Sequence, residues 1–162
     1  MIYRCYNGNN YTTPKILNIM SYENVSHPIL LVDDNSLDID LFERAIRKIA
    51  PAIKLDTARD GEQALAYIRQ WEAGLPVPVV ILLDLKMPKV NGLEVLRTMK
   101  SHPRYKTVPV VILTSSNETI DIQQAYEIGV NSYIMKSVDY DEFAKAVGLI
   151  YHYWCQLNIY PE

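Results

Sequence analysis

From residue 29 to residue 135 the chain alternates two patterns: short unbroken apolar runs, and longer stretches whose apolar positions recur every three or four residues. Ile29 to Val32, Val79 to Leu83 and Val110 to Leu113 are runs too short for helices, and they read as strands buried on both faces of a parallel sheet. Ile53 to Thr57 and Ser132 to Met135 complete a set of five. Between them, Leu41, Phe42, Ala45, Ile46 and Ile49 mark a helix capped by Ser36 and stopped by Pro51. Asp60 and Gln63 form a capping-box pattern ahead of Leu65, Ile68 and Trp71, with Gly74 and Pro76 at the end. Leu93, Val95, Leu96 and Met99 predict a third helix after Asn91-Gly92, and Asn117 to Ile128 a fourth, closed by Gly129. The last helix has a capping box in Asp139 and Glu142, a staple in Val138 and Phe143, and an apolar face of Phe143, Ala146, Val147 and Ile150. Five strand-helix pairs of this kind predict an α/β fold with helices on both faces of a parallel sheet.

The flanks differ. Residues 1–28 hold four of the twelve tyrosines without periodicity and read as an N-terminal extension. Residues 29–150 form the predicted domain, and 151–162 are an aromatic continuation of the last helix, through Tyr151, His152, Tyr153 and Trp154. A length of 162 residues with 49% hydrophobic and 22% charged positions suits one globular domain. The net charge of −3 argues against a bulk nucleic-acid binder. No apolar run approaches the roughly 20 residues that cross a bilayer. Cys5 and Cys155 lack disulfide or metal spacing, and the first residues lack a signal-peptide layout, so a cytoplasmic location is expected.

Polar residues at the strand ends carry the chemistry. In an open parallel sheet, ligands bind beyond the carboxyl ends of the strands. Asp33 and Asp34 follow the first strand, Asp84 the third, Thr114 the fourth and Lys136 the fifth, so the topology gathers them on one rim. Carboxylates about 4 Å apart repel by on the order of 4 kcal/mol per pair at an effective dielectric constant near 20. A hard divalent cation with oxygen ligands offsets that repulsion, and Mg²⁺ commonly keeps room for waters and a phosphate oxygen. An aspartate beside such a cation can act as a nucleophile toward phosphorus.

The segments LLVDDN, LLDLKMPKVNG, LTSS and SYIMK, with Thr114 30 residues after Asp84 and Lys136 22 after Thr114, resemble the receiver domains of two-component response regulators. The resemblance runs from about Ile29 to about Ile150. It implies a flavodoxin-like doubly wound (βα)5 fold with strand order 2-1-3-4-5. It further implies Asp84 as phosphoacceptor, a Mg²⁺ site (or Mn²⁺) formed by Asp33, Asp34, Asp84 and the backbone carbonyl of Lys86, and Thr114 and Lys136 as partners of the phosphoryl oxygens. Tyr133 falls at the aromatic switch position that responds with Thr114. The implied partner is a sensor histidine kinase or phosphotransfer protein, and the implied output surface is helix 4, strand 5 and helix 5, with catalysis limited to the protein's own phosphorylation and dephosphorylation.

Two departures narrow the resemblance. Ser137 stands where the family usually has proline, and 50 residues separate Asp34 from Asp84, a longer interval than in compact members. With the aromatic tail, these features resemble single-domain regulators of cyanobacterial phytochrome kinases. The stripe Ile150, Trp154 and Leu157 either prolongs core packing or makes a homodimer contact, and the dimer is the expectation carried forward. Two other readings stand beside this one. A haloacid-dehalogenase-type phosphohydrolase needs a second aspartate where Lys86 stands, and receiver-like modules that take no phosphoryl group commonly lose members of the acidic set.

Overall fold

The computed structural model describes residues 27–160. Five parallel strands, β1 (Ile29–Val32), β2 (Leu55–Ala58), β3 (Val80–Leu83), β4 (Val110–Thr114) and β5 (Ser132–Met135), form one sheet in the order β2-β1-β3-β4-β5. This is the flavodoxin-like order expected from the sequence. Five helices connect and follow them: α1 (Ser36–Ile49), α2 (Gly61–Glu72), α3 (Gly92–Ser101), α4 (Thr119–Ile128) and α5 (Tyr140–Tyr151). A π-helical segment, His152–Leu157, extends α5.

The sheet divides two cores by the two-residue period of its strands. Leu30, Val32, Ile81, Leu83, Val110 and Ile112 face one side, where Ala64, Ile68 and Trp71 of α2, Leu96 and Met99 of α3 and Ala125 of α4 cover them. Ile29, Leu31, Val80, Leu82, Val111 and Leu113 face the other, under Phe42 and Ile46 of α1 and Phe143, Val147 and Ile150 of α5. The central strands β1, β3 and β4 are buried throughout, which is why their sequences show no polar alternation.

Several boundaries differ from the expectation, each for a local reason. The N-cap of α1 is Asn35, whose side chain accepts from Leu37 N, and Ser36 is already helical. β2 begins at Leu55, because Ile53 N donates back to Ala50 O in a turn that closes α1. At α2, Asp60 caps Gln63 N at 2.8 Å as expected, but the Gln63 side chain accepts from Arg59 N, one residue before the cap. α4 starts at Thr119 without a side-chain cap, two residues later than the pattern suggested. Val138 is fully exposed, so no staple with Phe143 forms. Ser137 Oγ accepts from Asp139 N in a turn around it, and none of the described peptide bonds is cis.

Candidate phosphoacceptor and cation site

The site is made by strand ends brought into register. Asp33 N donates to Ala58 O and Asp84 N to Val32 O, so the ladder continues one residue past β1 and β3 and fixes both aspartates on the same rim. Lys136 N donates to Thr114 O at 2.8 Å, which ties the end of β5 to the end of β4. The close approach of α3 completes the arrangement. Gly92 N donates to Leu85 O, and a Cβ on Gly92 would lie 2.2 Å from the Asp84 carbonyl oxygen.

Carboxylate oxygens of Asp33, Asp34 and Asp84 all lie within 4.8 Å of one another. Asp33 is 2% and Asp84 7% exposed, whereas Asp34 faces solvent. Two of the three are oriented by backbone donors: Asp33 accepts from Asn35 N at 3.0 Å and Asp84 from Leu85 N at 2.8 Å. Lys136 supplies the compensating charge, with Nζ 2.6 Å from Asp33, 2.7 Å from Asp38 and 3.6 Å from Asp84. Burial pushes the Asp33 carboxyl above its ordinary range despite the Lys136 ammonium, which it shares with two other carboxylates. Burial works against the Lys136 ammonium too, but there the hydrogen bonds to Asp33 and Asp38 prevail and hold it above the usual lysine value. An excess of buried negative charge with only oxygen donors is the chemistry of a hard cation site, and the residues present fit Mg²⁺ or Mn²⁺.

The other expected residues distribute as follows. Thr114 is fully buried at the end of β4, its Oγ1 accepting from Ser116 N at 3.3 Å. Tyr133 is half-buried, and its hydroxyl donates to Ser116 O at 2.9 Å, in the loop that Thr114 opens. Burial and the nearby Asp121 push that phenol up. The Lys86 side chain reaches Glu118 at 3.2 Å, an exposed ion pair between the β3-α3 loop and the start of α4.

Ile150 corrects the expected partner surface. It is 3% exposed and belongs to the core under α5, so it presents nothing to a partner. Trp154 packs partly against the same core. Asp38 escaped the sequence reading, because an acid in the first turn of a helix is commonplace. Its only signal is a position one helical turn beyond the Asp33-Asp34 pair.

The family model of the response regulator receiver domain matches residues 29–148. The chain belongs to the response regulator receiver domain family. "Response regulator Rcp1" of Synechocystis sp. is 36% identical over 135 residues, covering 82% of this chain and 92% of its own. "Probable methanogenesis regulatory protein FilR2" of Methanothrix harundinacea is 39% identical over 134 residues, covering 82% and 86%. The receiver superposes on the phosphorylated cyanobacterial phytochrome response regulator RcpA with a TM-score of 0.78 at 38% identity, covering 84% of this chain and 99% of that one. The Mn²⁺-bound form of Rcp1 gives a TM-score of 0.77, again over 84% and 99%. The protein is therefore a receiver-domain response regulator of a two-component system, close to these phytochrome response regulators, in a family whose role is signalling. Among the described residues, no helix is long and apolar enough to cross a membrane.

Proposed function

We propose that this receiver accepts a phosphoryl group on Asp84 from a histidine kinase or phosphotransfer protein and later loses it to water. The observation that carries this reading is the joint placement of Asp33, Asp34 and Asp84 within 4.8 Å with the Lys136 ammonium 3.6 Å from Asp84. A carboxylate oxygen of Asp84 attacks phosphorus, and the phosphorus-nitrogen bond of the donor phosphohistidine breaks, the imidazole nitrogen keeping the electron pair. Lys136 follows the charge as it moves onto the phosphoryl oxygens. Asp33 and Asp34, with Asp84 and the Lys86 carbonyl, would hold Mg²⁺ (or Mn²⁺), which would supply charge neutralisation when bound. Thr114 donates to a phosphoryl oxygen, giving up its contact with Ser116 N, and Tyr133 gives up the Ser116 carbonyl as it turns inward. The face of α4, β5 and α5 reports this exchange to a partner.

The similarity to the cyanobacterial phytochrome response regulator RcpA favours a phytochrome-type kinase as donor, and a cytoplasmic location is part of this reading. Residues 29–150 form the receiver and residues 151–160 prolong its last helix, whereas the expected N-terminal extension lies, up to residue 26, outside the described residues; the same output face with the tail forms a homodimer. Incubation with acetyl phosphate and Mg²⁺ followed by intact mass measurement tests the central step. Wild type gains one labile phosphoryl group and Asp84→Asn gains none. A folded wild type that stays unmodified refutes the reading, and sustained release of phosphate from an external phosphomonoester would instead favour a hydrolase.

A further inference from the structure

The loop between β3 and α3 contains one residue in an unfavourable backbone region. Lys89 has φ of 67°, and among the described residues other than glycine no other has a positive value in the left-handed range. A lysine there is strained where glycine would be relaxed, so the surroundings must hold this segment in place. It is held twice. Lys89 Nζ lies 3.0 Å from Asp60 Oδ2 and 3.0 Å from Glu62 Oε2, both at the start of α2.

Asp60 is a constrained partner. Its side chain is 11% exposed, and its other oxygen caps α2 through Gln63 N at 2.8 Å. Beside this bridge, a Cβ on Gly61 would lie 2.2 Å from the Val90 carbonyl oxygen, so the helix start and the loop backbone are in direct contact. At the loop's other end Gly92 seats equally tightly on Asp84. The segment carrying Asp84 and Lys86 is thus pinned at both ends, by α3 through Gly92 and by α2 through Lys89.

We propose that Lys89 is a positioning residue: its bridge to Asp60 and Glu62 fixes the β3-α3 loop so that Asp84 and the Lys86 carbonyl present their oxygens to the cation. This rests on the function proposed above. Lys89 is half-exposed and does not touch the carboxylate cluster, so its effect is indirect and of the size that partly exposed ion pairs supply.

The test uses the full chain as wild type, Lys89→Gly, Lys89→Arg and Asp60→Asn, with Mn²⁺ affinity read by electron paramagnetic resonance. Amide exchange at Leu85 and Gly92 is read in cation-free protein. Glycine accepts the backbone geometry, and asparagine still caps α2. Lys89→Gly is expected to lose about fivefold in Mn²⁺ affinity and to exchange faster at both amides. Lys89→Arg should stay near wild type, Asp60→Asn should lose part of what Lys89→Gly loses because Glu62 still pairs with the lysine, and the double variant should lose no more than Lys89→Gly alone. Wild-type affinity and exchange in Lys89→Gly overturn the positioning role while leaving the proposed function standing. A wild type that takes up neither Mn²⁺ nor a phosphoryl group overturns both.

Discussion

Lys136 shows how one side chain can hold a crowded site together before any cation arrives. Its ammonium touches Asp33 and Asp38 and faces Asp84, and its side chain is about as buried as that of Asp84 and more buried than that of Asp38. Removing one member of a buried charge set is costly because the others are left uncompensated. Lys136→Met should therefore destabilise the cation-free protein by about 2–3 kcal/mol, below the about 3–5 kcal/mol usual for such losses, since Asp33 can take up a proton. Mg²⁺ should restore proportionally more stability to the variant than to wild type. The pH dependence has a definite sign. A lysine held above its ordinary value contributes fully below about pH 10.4, and the contribution is lost as pH rises through the folded-state value. Urea denaturation at pH 7 and above pH 10.4 measures both, and equal stability of the two proteins at pH 7 would refute the argument. The aspartates and the lysine of this cluster were legible in the sequence because each ends an apolar run, where topology alone assigns a shared rim. Asp38 was not, because nothing in a helical first turn distinguishes a partner of Lys136 from an ordinary dipole-compensating acid.

At the level of elements, α3 seats closely on the chain that leaves β3 at Asp84. A methyl group on Gly92 would meet the Asp84 carbonyl oxygen at 2.2 Å and Leu85 Cα at 2.8 Å, and backbone atoms cannot swing aside as side chains do. Gly92→Ala should cost about 1–3 kcal/mol through forced backbone movement, although alanine is the better helix former. Gly148→Ala is the control. Its Cβ meets only Ile49 Cδ1 at 3.9 Å in the interior of α5, so the change should be neutral or stabilising by up to about 1 kcal/mol. Thermal unfolding should show a lowered midpoint for Gly92→Ala and an unchanged or raised one for Gly148→Ala, and a loss as large in Gly148→Ala would remove the steric argument. Asn91-Gly92 was visible in the sequence as a turn and helix start, but the contact with Asp84 was not, since it depends on how far a helix settles onto a strand. The staple expected of Val138 failed for a related reason. The pattern records an apolar residue before a cap, whereas the Ser137 turn places it at a solvent-facing apex. Strand order and core faces needed no such tertiary detail, because unbroken apolar runs and the period-two division follow from burial alone.

For the whole molecule, the tail shows two faces with different tasks. Ile150 lies in the core and Trp154 packs against it, and the Trp154 carbonyl accepts from the Tyr160 hydroxyl, which folds the end of the chain back over this side. Of the stripe that suggested a partner surface, Leu157 stays 47% exposed, Trp154 is partly covered and Ile150 is core. One residue earlier in the turn, Leu149 is 71% and Tyr153 52% exposed, four positions apart on one face. Gly148, beside Leu149, faces Ile49 of α1, so Leu149 is turned away from that helix contact. The exposed apolar residues Ile120 and Tyr126 of α4 and Met135 of β5 belong to the output face proposed above. A homodimer through this face would cover Leu149 and Tyr153 and leave Trp154 as support. Light scattering should then find a dimer for wild type, a monomer for Leu149→Glu combined with Tyr153→Glu, and an unchanged dimer of lower stability for Trp154→Ala. The stability loss in Trp154→Ala should be about 2–3 kcal/mol, below the range for a fully buried tryptophan because the ring is only partly enclosed. Dissociation by Trp154→Ala with the double variant still dimeric would return the interface to the original stripe, and a monomeric wild type, with and without phosphorylation, would eliminate the dimer.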